Sequence, residues 1–452
     1  MLLRISLSIL LSLLLFFSFT PSVWAFCGFF VAKADASLYN KASQVIIARD
    51  GDRTILTMAN DYQGDVKDFA LVVPVPTVLK QEQVRVGDRK IIDKLDTFTA
   101  PRLVEYFDED PCAPPDIIYE AVPALPGAGL EGARTHTDSL GVTIEARFSV
   151  GEYDILILSA RESDGLETWL IQNGYKIPRG ASSLLQPYIR QNMKFFVARV
   201  NLKEFTGTGT QFLRPLMIAY ESPRFMLPIR LGMINAQADQ DLLVYLLTPR
   251  GRAEVTNYRM VRLPTDSEIP TFVKKEFGNF YKAMYETAHR RSGGRAVFLE
   301  YAWDVSNCDP CTTEPPTLEE LKQAGVFWLD HVGSAIVPRL PRPVPIRPTA
   351  GVFVTRIHVR YNRNNFPEDL MFKETPNQEL FQGRYVLRHP FTGRITCEAG
   401  KKYQENLKRR WEQEARTLAK LTSWDINEIR RKMQIAQTPP TTEDAFWRRI
   451  WK

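Results

Sequence analysis

SQVIIARDGDRTILTMANDY, residues 43–62, consists of two alternating apolar stretches joined by RDGDR at 49–53. Alternation with period two is the pattern of strands with one face turned to a core. Asp50-Gly51 is a strong hairpin signal, because glycine enters the positive-φ region of a type I′ turn without steric cost. The chain therefore starts its fold with an antiparallel pair.

Downstream, DFALVVPVPTVL (68–79) is a continuous apolar run, the pattern of a strand covered on both faces. Pro74 and Pro76 each lack a ladder donor, which predicts an edge position or an extended exit. RKIIDKLDTFTAPRLVEYF (89–107) puts Ile91, Ile92, Leu95 and Phe98 on one helical face before Pro101 interrupts. The stretches 142–160, 214–223, 228–235, 240–249 and 252–264 read as strands separated by Pro and Gly. Between them, DGLETWLIQNGYKIP (164–178) is a short helix with Leu166, Trp169 and Leu170 inward. SSLLQPYIRQNMKFFVARVNL (182–202) is a helix running into a strand. TFVKKEFGNFYKAMYETAHR (271–290) is helical in pattern, and TLEELKQAGVFWL (317–329) opens with Thr317 and Glu320 at capping-box spacing.

GVFVTRIHVRYN (351–362) alternates cleanly: Val352, Val354, Arg356, His358 and Arg360 share one face, Phe353, Thr355, Ile357, Val359 and Tyr361 the other. It predicts a half-buried strand with its basic stripe toward water. KKYQENLKRRWEQEARTLAKL (401–421) aligns Leu407, Trp411, Ala415, Leu418 and Leu421, and a second helix starts at Asp425 with Glu428 three residues on. The fold class this implies is α+β, with mainly antiparallel sheets, interspersed short helices and a C-terminal helical hairpin. Punctuation by Pro and Gly, densest at 123–132, divides the chain at 26–125 (a β-rich unit), 126–265 (α+β), 266–397 (α+β with a cysteine loop), 398–436 (the helical hairpin) and 437–452 (a basic tail).

The first 25 residues differ in kind. Arg4 precedes the apolar run LSILLSLLLFFSF (7–19), followed by Pro21 and SVWA, with Val23 and Ala25 at the minus-three and minus-one positions of a cleavage site. This is the pattern of a secretory signal peptide, so the mature chain is expected to be exported, periplasmic or extracellular, and soluble after cleavage at Ala25. Lipidation of Cys27 is disfavoured by Phe26, which stands where a small residue is required, and the apolar run is short for an uncleaved anchor. The formal charge of +6 is concentrated at one end: residues 401–452 carry 13 Lys or Arg against 7 Asp or Glu. A body close to neutral gives no basic groove for nucleic acid. The basic tail, with Trp447, Arg448, Arg449 and Trp451, suits either solvent or an anionic envelope component or membrane surface.

Five cysteines in an exported chain are expected to be bridged, with one left over. In the chain-entropy model, closing Cys27 to Cys112 contributes about 4.5 kcal/mol and closing Cys308 to Cys311 about 2 kcal/mol. The expectation is Cys27 with Cys112 and Cys308 with Cys311, leaving Cys397 free. Cys397 bridged to Cys308 or Cys311 is the rival. VSNCDPCTTEPP (305–316) also has the spacing of a dithiol enzyme, but no strand of the βαβ kind feeds it and Pro315-Pro316 block an immediate helix. A zinc ribbon needs a second cysteine pair, and Cys397 is alone. His136, His289, His331, His358 and His389 include no pair at ligand spacing. FDEDPCAPPD (107–116) gathers Asp108, Glu109, Asp110 and Asp116 without the glycine of a calcium loop. No nucleophile elbow, S-x-x-K motif or phosphate loop is present, so neither metal nor cofactor is expected and the reading leans away from an enzyme.

The block from Cys27 through TVL at 77–79, together with APRLVEYFDEDPCAPP (100–115), SPRFMLPIRLGM (222–233), and CDPC followed by GVFWL (325–329), resembles the secreted bacterial proteins grouped as domain of unknown function 2330. The resemblance covers most of the mature chain. It implies export and a bacterial origin, and carries no catalytic residues to transfer. Some members are similar to membrane-anchored forms with a C-terminal span, whereas this chain ends in FWRRIWK. Three functions follow as expectations: an exported binding or scaffolding module of the cell envelope; a thiol-disulfide oxidoreductase using Cys308 and Cys311; or a protein held at the membrane periphery by its basic tail.

Overall fold

The computed structural model describes residues 29–32, 39–63, 69–113, 143–172, 181–201, 213–234, 239–307, 309, 314–329 and 351–437. The hairpin forms as read: Tyr39–Asp50 and Arg53–Gln63 pair antiparallel down to Asp50 opposite Arg53, and Gly51 closes the turn at φ +56°. It lies inside a nine-stranded sheet. In spatial order the strands are Arg259–Arg262, Ala296–Asp304, Phe353–Tyr361, Gln240–Thr248, Tyr39–Asp50, Arg53–Gln63, Leu216–Glu221 and Val84–Val86, with Phe381–Gln382 added alongside Ala296–Asp304. Most neighbours are antiparallel; Gln240–Thr248 runs parallel to Tyr39–Asp50, and Arg259–Arg262 parallel to Ala296–Asp304. Segments 26–125, 126–265 and 266–397 each supply strands to this one sheet.

A five-stranded sheet, ordered Phe29–Ala32, Phe69–Val75, Lys194–Val200, Tyr153–Ser159, Thr143–Val150, packs on one face of the large one. Alternation explains the contact. Val45, Ile47, Leu56 and Met58 from the large sheet meet Leu71, Val73, Ile155, Phe196 and Ala198 from the small one in a common core. The intervening residues Val72, Leu158, Phe195 and Val197 point the other way, onto the helices Ser163–Gln172 and Ala181–Arg190. The opposite face of the large sheet carries Ile46, Ala48, Tyr245 and Val354 against the helix Arg89–Thr99. It also carries Phe298 against Phe277–Arg291 and the C-terminal helices Glu398–Thr422 and Ile426–Gln437. The result is four layers, helix, sheet, sheet, helix. Each large side chain enclosed between them contributes about 1.5–3 kcal/mol of transfer free energy.

Two local expectations change. Of the two alternatives for Pro74 and Pro76, the edge position fails, since Pro74 lies within the small sheet opposite Phe195, while the strand ends at Val75 and leaves Pro76 in the exit. The strand Phe353–Tyr361 is not half-buried: it has a partner on both sides, and Arg356 and His358 are enclosed.

The helical pair at the C-terminus takes the expected form. Ala415 and Leu418 are buried, with Trp411 and Leu421 packed on the same cluster. Ser423 at φ +61° breaks the chain, and Asp425 accepts the N–H groups of Asn427 and Glu428 to start the second helix. A three-stranded parallel sheet, Ser267–Glu268, Arg384–His389 and Arg102–Phe107, lies beside it.

Candidate functional site

Charged side chains concentrate in one seam on the helix-covered face of the large sheet, between the cluster around Phe98 and the cluster around Phe280. The strand Phe353–Tyr361 supplies Arg356, His358 and Arg360 at period two; Gln240–Thr248 supplies Asp241 and Tyr245; Ala296–Asp304 supplies Glu300 at a register shift between Leu299 and Tyr301. Glu300 is fully buried. It accepts from Arg356 Nε at 2.6 Å, lies 3.0 Å from His358 Nδ1, and is bonded by the Tyr281 hydroxyl. His358 Nε2 is 3.2 Å from Asp241, whose carboxylate also receives both arms of Arg360 at 2.8 and 2.7 Å. Arg356 reaches across to Asp96 at 2.7 Å, Tyr245 donates to the same carboxylate at 2.7 Å, and Gln44 donates to Tyr245 at 3.2 Å. The Tyr285 ring stacks on His358 with centroids 3.8 Å apart.

Two guanidinium groups and an imidazole thus face three carboxylates. Burial acts to raise the Glu300 pKa, but the charge of Arg356 and the hydrogen bond from His358 outweigh it and hold it at about 2. Asp241 is likewise lowered: burial pushes it up, and His358 and Arg360 pull it further down. Burial disfavours the His358 imidazolium, yet Asp241 and Glu300 together raise its pKa. Each group is committed to a partner within the seam, so its chemistry is electrostatic cross-linking of three strands to the helices Arg89–Thr99 and Phe277–Arg291. The stripe predicted to face water is turned inward because these carboxylates, distant in sequence, neutralise it.

Two clefts open at the far end of the large sheet and share Tyr220. The larger, about 440 Å³, is lined by Ile55, Thr77, Ala219, Tyr220 and Phe327, with Arg53 and Glu221 at its rim. It exists because Val84–Val86 pairs with Leu216–Glu221 only as far as Ile218; beyond that the Gln83 side chain caps the Ala219 carbonyl at 2.9 Å. The smaller, about 150 Å³, is walled by Pro74, Pro76, Pro223, Pro228, Met193 and Met226. Burial lifts the Tyr220 hydroxyl to about 12, against the opposing charge of Arg49. Arg49 donates to the Ser222 carbonyl at 2.9 Å and lies over Phe225, fixing this loop.

The cysteine pairing is corrected. Cys112 is bonded to Cys397, with Cα atoms 5.8 Å apart, so Cys112 is not the partner of Cys27 and Cys397 is not free. Loop entropy ranked the possible closures without sight of the parallel pairing of Arg102–Phe107 with Arg384–His389, which brings the two segments that follow those strands together. Cys27, Cys308 and Cys311 lie outside the described residues, as do Trp447, Arg448, Arg449, Trp451 and residues 1–25. Asp309, between Cys308 and Cys311, accepts from Tyr301 at 3.2 Å and from Gln382 at 3.0 Å. In the acidic loop, Asp108 is taken up by Arg410 at 3.0 and 2.7 Å and by Tyr403 at 2.6 Å. Among the described residues, no group of three or more His, Cys, Asp or Glu is placed to hold a metal ion, and no helix is long and apolar enough to cross a membrane.

Sequence reasoning placed His358 on a basic stripe with no histidine at ligand spacing, and missed Glu300, Asp241 and Asp96 as the carboxylates that cover the stripe; the clefts had no local signal beyond the prolines of 73–76 and 222–228. No curated protein and no solved structure matches the chain. A family model matches residues 21–373, which hold the seam and both clefts and end before Cys397 and the helical pair. By that match the chain belongs to the family described as an uncharacterized protein conserved in bacteria, domain of unknown function 2330.

Proposed function

We propose that this protein is an exported binding module of the bacterial cell envelope, whose ligand-facing surface is the pair of clefts around Tyr220. The carrying observation is the clefts themselves: apolar walls of about 440 and 150 Å³, built on a rigid sheet end and rimmed by Arg53, Glu221 and Arg224. Concave, mostly apolar surfaces with a few fixed polar groups are the usual form of ligand sites. The Cys112–Cys397 bridge supports the compartment, since bridges of this kind persist in oxidising environments. The test is co-sedimentation of the mature protein with isolated bacterial envelope, wild type against Tyr220→Ala and Met226→Ala. Retention of the wild type with a loss of at least tenfold in the two variants is expected. Retention that is absent, or equal in all three, overturns the reading.

A second reading is favoured by one observation. Lys402, Lys408 and Arg409 are exposed along the first C-terminal helix, in the same basic stretch of sequence as the tail. Such a face attracts anionic headgroups at about 1 kcal/mol per cation. Binding to vesicles containing phosphatidylglycerol, lost in 0.5 M salt or on truncation at residue 437, is the expected result of that reading; failure to bind at low salt removes it.

A further inference from the structure

The bridge between Cys112 and Cys397 is placed differently from an enclosed staple. Cys397 is the N-cap of the helix Glu398–Thr422, and its Sγ accepts the N–H of Gly400 at 3.2 Å. Both cysteines are half-buried. A Cβ on Gly400 would lie 2.1 Å from Ile395 Cγ2 and 3.4 Å from each sulfur, so the first helical turn packs directly against the bridge. The free N–H groups of that turn and the dipole of a 25-residue helix favour negative charge on the Cys397 sulfur. Cys112 has the opposite setting: it follows Asp108, Glu109 and Asp110, and its own N–H is engaged by Asp110 at 2.8 Å.

We propose that the Cys112–Cys397 bridge is a site of thiol–disulfide exchange, opened by a dithiol reductant of the envelope, with Cys397 as the leaving sulfur. The reductant's thiolate attacks Cys112 Sγ; the S–S bond breaks and its electron pair leaves on Cys397, stabilised by the Gly400 N–H. The mixed disulfide with Cys112 is resolved by the reductant's second thiol, which becomes oxidised to a disulfide while the Cys112 thiolate takes up a proton. Two electrons pass to the protein, and the reductant's two protons balance the two thiols formed. A low-pKa leaving thiol speeds such exchange and stabilises the reduced form. The contacts of Asp108 with Arg410 and Tyr403 hold the helix against the loop after opening, so the two sulfurs stay within reach and the bridge can close again.

The test uses the full mature protein, equilibrated with a thioredoxin-type dithiol at equal reduced and oxidised concentrations, trapped with an alkylating reagent and mapped by mass spectrometry. More than about nine-tenths of the bridge is expected to be open, since a bridge at least tenfold easier to reduce than the probe lies in the range of catalytic dithiols. Less than a tenth open overturns the proposal. Glu398, the acid in the first helical turn, is exposed and pairs with Lys401 at 3.0 Å, and its negative charge offsets the positive helix end at the Cys397 sulfur. Glu398→Gln is therefore expected to raise the open-to-closed ratio two- to five-fold, about the strength of one charge at a helix end; no change contradicts the leaving-group assignment. In Cys112→Ser, alkylation of Cys397 is expected to titrate well below the ordinary thiol value of about 8.5, and a value at or above it contradicts the same assignment.

Discussion

Arg356 donates its Nε hydrogen to Glu300 at 2.6 Å where both side chains are enclosed, and the same guanidinium reaches Asp96 at 2.7 Å on the neighbouring helix. A strand, a second strand and a helix from three distant parts of the chain are thus joined through one cation. Attraction in a low-dielectric interior is large, but so is the cost of desolvation, and such a pair adds less net stability than the loss of one member removes.

Arg356→Met leaves Glu300 buried with His358 as its remaining positive neighbour. The expected loss is about 3–5 kcal/mol in urea unfolding, with a smaller loss in the double variant Arg356→Met, Glu300→Leu. A single variant within about 1 kcal/mol of wild type would show that the seam does not hold the layers together.

Stability should depend on pH in two directions. Glu300 is lowered to about 2, so its contribution is present above the ordinary carboxylate value and fades as pH falls from about 4.5 toward 2. Glu414 is the converse: burial raises it to about 7, and its neighbour Arg410 is already committed to Asp108. A raised acid favours the folded state below about 4.5 and withdraws that support as pH rises through about 7. His358, raised by Asp241 and Glu300, adds stability that is lost as pH climbs through its folded value. Melting temperature is therefore expected to peak on the acid side, near pH 5. Glu414→Gln should flatten the decline between 5 and 7, and an unchanged decline would exclude Glu414 as its source.

Gly51→Ala and Gly325→Ala separate two costs. Gly51 has φ +56° with open space around it, so alanine should cost about 1 kcal/mol of backbone strain alone. Gly325 has φ +98°, and a Cβ there would meet Ile55 Cγ2 at 2.8 Å, so its substitution should cost distinctly more. Equal losses in thermal unfolding would contradict the close packing of the 325–329 segment on the hairpin.

Much of the architecture was legible in the sequence because its signals are local. Asp50-Gly51 marked the hairpin, Thr317 with Glu320 marked a capping box that forms, and the Ala415/Leu418 face marked the C-terminal helices. What was not legible depends on partners far away in the chain. Period two tells that Arg356, His358 and Arg360 share a face, but not that Glu300, Asp241 and Asp96 cover it. Loop length ranks cysteine pairs, but not that Arg384–His389 runs beside Arg102–Phe107 and carries Cys397 to Cys112. The same long-range geometry makes the smaller cleft: Pro223 is close to Tyr220 in the chain, but Pro74 and Pro76 reach it only when the two sheets pack.

Removing the bridge by Cys397→Ser should cost stability in proportion to the chain it closes. With a sequence separation of 285, the chain-entropy model gives about 5.6 kcal/mol as an upper value, and about 2–4 kcal/mol is typical of measured bridges. Hydrogen exchange should rise first in Glu398–Thr422 and Ile426–Gln437, because the bridge ties that helical pair to the rest of the molecule. Uniform change across the large sheet would contradict this.

The most direct test of an exported, bridge-clamped envelope protein is a non-reducing peptide map of the protein recovered from cells expressing the full chain, fractionated into envelope and cytoplasm. The account predicts that it is found in the envelope fraction, begins at Phe26, and yields a disulfide-linked peptide pair containing Cys112 and Cys397. Recovery from the cytoplasm with residues 1–25 intact and both cysteines alkylatable would contradict it.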